Sequence, residues 1–187
     1  MTESEPIGCQ ACTAGLVDSP RRHIMKAAAV AGLTAPLGLL AAESRVKPAV
    51  GDRLVIDDPD APLVPLRVAD IPLGKPVLAF PFDTTNQMVL NGSRLNKVVL
   101  MRFAESDLDA STRAQSAAGV LAYSALCTHQ GCELKTWSAK EKLLVCFCHS
   151  SKFRLQEGGV VAGGPAPRPL PSMPLKLVGD QIAVAGN

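Results

Sequence analysis

Four of the chain's six cysteines and two of its three histidines fall in two six-residue segments, Cys127-Thr128-His129-Gln130-Gly131-Cys132 and Cys146-Phe147-Cys148-His149-Ser150-Ser151. A set of thiolates and imidazoles this dense can hold iron or zinc, and the fold must then bring both segments to one point. A tetrahedral Cys2His2 zinc site usually pairs its ligands as CxxC and HxxxH around a helix. Here thiolate and imidazole are mixed within each segment. Each arm can therefore offer one Cys to one iron and one His to another, the division that a mixed-ligand two-iron centre requires. A redox-inert zinc module is the other reading of these residues, and iron analysis with an absorption spectrum separates the two.

The rest of the chain offers that centre a β scaffold. Gly and Pro number 15 each in 187 residues, more than average usage, which favours turn-rich structure. Short apolar or alternating runs around Arg53–Ile56, Leu63–Val68, Val77–Phe82, Lys97–Phe103, Val120–Ala125, Leu143–Cys146, Leu175–Val178 and Gln181–Ala185 are separated by Pro, Gly, Asn and Asp. They are predicted as antiparallel strands joined by turns. Residues 105–119 are polar and rich in Ala and Ser, and are expected to form a loop or one short helix. The pattern predicts one all-β domain over residues 43–187, a small sandwich or barrel, with the site within about 120–170. The formal net charge is only +2. That leaves no electrostatic footprint for a phosphate backbone and excludes nucleic acid as a partner.

Residues 1–42 read as an address. Pro20-Arg21-Arg22-His23-Ile24-Met25-Lys26 precedes an uncharged run from Ala27 to Ala42, and this arrangement resembles a twin-arginine export signal. Pro20 stands where Ser or Thr is usual, and Ile24-Met25 where Phe-Leu is usual. At 16 residues, containing Gly32, Pro36 and Gly38, the run is shorter than the ~20 residues of an untilted membrane-spanning helix. Cleavage near Ala42 and release into the periplasm is the expectation, with retention as a membrane anchor the alternative. Cys9 and Cys12 form a CxxC upstream of the arginines and are read as incidental.

The paired boxes CTHxGC and CxCHxS at 127–132 and 146–151 resemble those of Rieske [2Fe–2S] proteins, and Gly163-Gly164-Pro165-Ala166-Pro167 resembles the proline loop that closes over their cluster. The resemblance implies a Rieske-type antiparallel sandwich with a small cluster-binding subdomain of two loops. It assigns Cys127 and Cys146 to one iron and His129 and His149 to the outer iron, with Cys132 and Cys148 joined in a disulfide. Such a bond persists in oxidising surroundings outside the cytoplasm. Imidazole in place of thiolate removes negative charge from one iron and raises the potential into a range of roughly −150 to +300 mV. By the same resemblance Ser151 donates its hydroxyl to a bridging sulfide, Gly164 and Pro165 belong to the covering loop, and Phe153 stands where high-potential members carry a Tyr donor. Phe147 and Ser150 replace the usual Pro and Gly, so the backbone there is expected to be shaped differently. Trp137, the sole tryptophan, is read as a packing residue.

Segments 76–83 and 120–126 further resemble the small Rieske subunit of arsenite oxidase. That likeness implies a large molybdenum-containing partner and a cytochrome c or copper protein as electron acceptor. Gln130 supports it, standing where quinol-oxidising cytochrome bc complexes usually place a Leu in an apolar docking tip. The proline loop is closer to the cytochrome bc type, which supplies the alternative of a Rieske subunit with a cytochrome b-type partner. In either case the chain is expected to relay one electron within an oxidoreductase complex and not to act as a catalyst alone, since no activated nucleophile is evident.

Overall fold

Proline and glycine divide the chain into strands too short to stand alone, so stability depends on how they are layered. The computed structural model describes residues 45–186. The twin-arginine leader assigned to residues 1–42, with Cys9 and Cys12, lies outside the described residues. In chain order the elements are β1 (Arg53–Ile56), β2 (Val77–Asp83), β3 (Met88–Val89), β4 (Val98–Arg102), α1 (Ala110–Ala114), β5 (Val120–Ser124), β6 (Thr136–Ser138), β7 (Leu143–Val145), β8 (Lys152–Arg154), β9 (Val160–Gly163), β10 (Leu175–Val178) and β11 (Gln181–Val184). Seven strands form one sheet in the order β10-β11-β1-β2-β4-β5, with β3 on β2, and a second sheet runs β6-β7-β8-β9. Every ladder is antiparallel. The described residues form antiparallel sheets with one short α-helix, in line with the all-β expectation.

Strands β4 and β5 are apolar on both faces because each face has its own core to fill. With side chains alternating along a strand, Val99, Met101, Leu121 and Tyr123 point one way and join Leu144, Phe153, Leu155 and Leu170 in a core that also holds Cys127 and Cys146. Val98, Leu100, Val120 and Ala122 point the other way, onto Leu54, Ile71, Leu175 and Ile182. The first core is the shared floor of the large sheet, the small sheet and both Cys/His segments. Tyr123 rivets these parts together. Its hydroxyl donates to the Leu155 carbonyl at 2.8 Å, and burial pushes its phenol pKa up. Its ring lies so close to Gly159 that a Cβ there would come within 2.8 Å of it. Trp137 packs as expected, its ring tilted against Phe103 with centroids 5.5 Å apart.

The expected strand at Leu63–Val68 is absent. Pro62 and Pro65 lack the N–H that a ladder needs, and the stretch contributes only single bonds, Leu66 N–H to the Leu54 carbonyl and Ile182 N–H to the Leu66 carbonyl. Strands β3, β6, β8 and β9 have no counterpart among the predicted runs, because stretches such as Thr136-Trp137-Ser138 and Lys152-Phe153-Arg154 carry one large apolar residue each. Residues 105–119 do contain one short helix, α1, capped by the Asp109 carboxylate accepting from Thr112 N–H at 2.6 Å. Downstream of the proline loop the chain runs along the outer edge of β5, where Ser124 N–H donates to the Pro171 carbonyl and Met173 N–H to the Ala122 carbonyl.

Candidate metal centre

The two Cys/His segments fold into the same turn. In the first, between β5 and β6, Cys127 N–H donates to the Cys132 carbonyl and Gly131 N–H to the Cys127 carbonyl, each at 2.8 Å. In the second, between β7 and β8, Cys146 N–H donates to the Ser151 carbonyl at 2.8 Å and Ser150 N–H to the Cys146 carbonyl at 2.9 Å. The fifth residue is left-handed in both, Gly131 at φ 72° and Ser150 at φ 57°. Ser150 therefore keeps the backbone that glycine would adopt, and the expected change of shape at that position is not found. Each knuckle begins on a buried cysteine, Cys127 and Cys146.

A disulfide joins Cys132 to Cys148 and so ties one knuckle to the other. The free cysteines among the described residues are then Cys127 and Cys146. The Cys146 sulfur and the two disulfide sulfurs lie within 4.8 Å of one another. Burial pushes the Cys146 thiol pKa up, and its neighbour Cys127 adds to the effect, while the backbone amides of Cys148 and His149 pull the other way. On the outer side the rings of His129 and His149 meet edge to face with centroids 4.7 Å apart. His149 is exposed. His129 Nδ1 is buried and has no hydrogen-bond partner, which is uncommon for a buried nitrogen and leaves its bonding capacity unused.

A third segment closes the site. Gly164 at φ 83° brings its backbone against the second knuckle so closely that a Cβ would lie 2.6 Å from Ser151 Cα and 2.7 Å from the Ser150 carbonyl oxygen. Ser151 is fully buried, and its hydroxyl oxygen accepts from Ala166 N–H at 3.1 Å. Pro165 lies exposed on the covering loop, and Thr128 Oγ1 donates to the Arg168 carbonyl at 2.7 Å. Phe153, fully buried on β8, offers the site an apolar floor and no donor.

Sequence reasoning missed a strap formed by residues 93–97. Arg94 donates to the Gly131 carbonyl of the first knuckle. Lys97 Nζ lies 2.6 Å from Asp57 and 2.9 Å from Glu133, just past the same knuckle. No motif spacing could have signalled this, since 37 residues separate Arg94 from Gly131. Between the strap and the covering loop lies a cleft of about 400 Å³ whose lining includes Leu95, Leu126, His129, Gln130, Arg168 and Pro171.

The donor set fits a [2Fe–2S] cluster held by two cysteines and two histidines. The buried Cys146 thiol, with Cys127 beside it, resists ionisation unless positive charge compensates it, and the buried His129 Nδ1 has a lone pair or proton to offer. Mixed Cys/His ligation of this kind supports one-electron transfer.

The family model for the Rieske [2Fe–2S] domain matches residues 84–174. A protein described as a putative respiratory nitrate reductase subunit Rieske, from Haloferax mediterranei, is 32% identical over 161 residues, covering 84% of this chain and 69% of that one. The cytochrome bc1 complex Rieske iron-sulfur subunit of Streptomyces lividans is 31% identical over 112 residues, covering 58% of this chain and 66% of its own length. Among solved structures, a cyanobacterial plasma membrane Rieske protein from Synechocystis superposes with a TM-score of 0.43 at 22% identity, over 64% of this chain and 95% of that one.

Proposed function

The chain belongs to the Rieske [2Fe–2S] family, and on that premise we propose that it is the small one-electron-transfer subunit of an arsenite-oxidase-like molybdenum oxidoreductase, exported folded to the periplasm. The observation that carries this reading is the polarity of the tip. Gln130 is exposed beside the histidines, where a quinol-docking protein needs an apolar surface, and Phe153 supplies no hydroxyl beneath the site. The Haloferax relative, described as a subunit of a respiratory nitrate reductase, aligns over more of this chain than the bc1 subunit does. That supports a small subunit serving a larger redox partner. Arg21 and Arg22 before the apolar run support export.

Cys127, Cys146, His129 and His149 would hold the cluster, which when bound supplies a one-electron acceptor and donor. The buried thiols place its anchoring side in the core, away from water. The exposed His149 ring is the face that a partner can touch. Ser151, whose hydroxyl oxygen already accepts from Ala166 N–H, retains its proton to donate into the site. That proton favours added negative charge, because hydrogen bonds to the charged form stabilise it.

The test compares reduction routes. The protein is expected to co-purify from periplasm with a large cofactor-bearing chain and to be reduced on addition of arsenite, with quinol reducing it poorly. Quinol-dependent reduction in membranes, abolished by Gln130→Asp, would instead assign it to a cytochrome bc-type complex, the reading that the Streptomyces relative favours. Changing Arg21 and Arg22 together to Lys is expected to retain the precursor in the cytoplasm, and normal export of that variant contradicts the twin-arginine route.

A further inference from the structure

We propose that Arg94 is a positioning residue of the metal centre, gripping the first knuckle through the Gly131 carbonyl and supplying an uncancelled positive charge that favours the reduced state. The inference rests on the family's cluster occupying the site and holds whichever complex the chain serves. Gly131 is the left-handed residue that closes the ligand turn, and its own N–H donates to the Cys127 carbonyl. A guanidinium bound to its carbonyl therefore fixes the turn bearing Cys127 and His129. Three residues along the strap, Lys97 grips Glu133, so the two anchors flank Cys132.

The anchors differ in charge. Lys97 is matched by the carboxylates of Asp57 and Glu133, whereas Arg94 pairs with no carboxylate among the described residues. Reduction adds one negative charge to the centre, and an unmatched cation beside the ligand turn attracts it. Because the Arg94 contact is solvent-exposed, salt should weaken that attraction. Arg168 provides the internal comparison. It also pairs with no carboxylate among the described residues and lines the cleft beside His129 and Gln130, but its guanidinium makes no hydrogen bond to either knuckle among those residues.

The experiment uses the full chain with its iron and acid-labile sulfide measured first, and reads midpoint potentials at low and high salt. Arg94→Gln is expected to shift the one-electron equilibrium about threefold toward the oxidised form, about 28 mV at ~59 mV per tenfold. Arg94→Lys should recover most of that shift, and Arg168→Gln should produce less than half of it. The gap between wild type and Arg94→Gln should narrow in about 1 M salt, where the screening length is about 3 Å. Equal potentials for wild type and Arg94→Gln overturn the proposal, as does a shift that salt leaves unchanged or an Arg168→Gln shift of equal size. If Arg94→Gln fails to load iron, Arg94→Lys decides, with a potential near wild type expected and a threefold or larger loss contradicting the role. A wild-type protein without iron and sulfide would remove the cluster reading itself.

Discussion

The two knuckles share a backbone and differ in their surroundings. The first is gripped from outside, by Arg94 at Gly131, by Lys97 at Glu133 and by Thr128 at the Arg168 carbonyl. The second presents Phe147, Cys148, His149 and Ser150 to solvent, with Phe147 90% exposed, and is backed by Gly164. Ligand geometry is thus a local property, set by two backbone bonds and one left-handed residue in each turn. Exposure is a tertiary property, set by which turn the strap reaches. One knuckle holds and the other shows, and this asymmetry gives a partner a defined side from which to approach.

The comparison breaks most completely at the ligands. His149→Ala and Cys127→Ser are each expected to abolish cluster assembly, measured as iron and acid-labile sulfide, because the knuckles are equivalent at this level. Full loading of either variant would show that the two turns do not share one centre. Next in size is the bond between them. The Cys132–Cys148 disulfide closes a loop spanning a sequence separation of 16 in the unfolded chain, and reducing it frees that loop and is expected to lower stability by about 3 kcal/mol in denaturant titrations. Gly164→Ala should follow at about 2 kcal/mol, since a Cβ there meets Ser150 and Ser151 backbone at a positive φ.

Acid separates the knuckles further. The Lys97 ammonium holds the Glu133 carboxyl below its ordinary value near 4.5. A carboxylate with a depressed folded pKa contributes fully above its unfolded value, and the contribution is lost as pH falls through the folded one. Protection of the amides in residues 127–134, corrected for the intrinsic exchange rate, is therefore expected to fall as pH drops below about 4.5 while that of residues 146–151 changes less, and Lys97→Met should erase that difference. The smallest effect is a gain. Ser150→Gly relieves a non-glycine left-handed residue and should stabilise the protein by about 1 kcal/mol.

The candidate ligands were more legible than the residues that support them. Cysteine and histidine spacing exposed both knuckles, and the resemblance built on it identified the disulfide pair and the Gly164 loop. Strands β4 and β5 were visible because apolar residues fill both faces, whereas β6 and β8 were hidden by their length and single apolar residues. Leu63–Val68 misled through composition, since Pro62 just before it and Pro65 within it remove donors that its apolar side chains suggest. Arg94 and Lys97 left no trace, because a long flexible cation reaching a carbonyl or a carboxylate across the fold imposes no local pattern.

The covering loop is stitched down at short intervals. Gly163 pairs with Lys152, Ala166 N–H reaches Ser151, the Arg168 carbonyl takes Thr128, Leu170 N–H meets the Gly159 carbonyl, and Pro171 and Met173 lie along β5. A segment fastened in this way does not swing as a lid. Release of whatever the knuckles enclose then waits on local unfolding and not on loop motion, so retention of the cofactor should track the stability of the surrounding sheets and lengthen with every change that slows their opening.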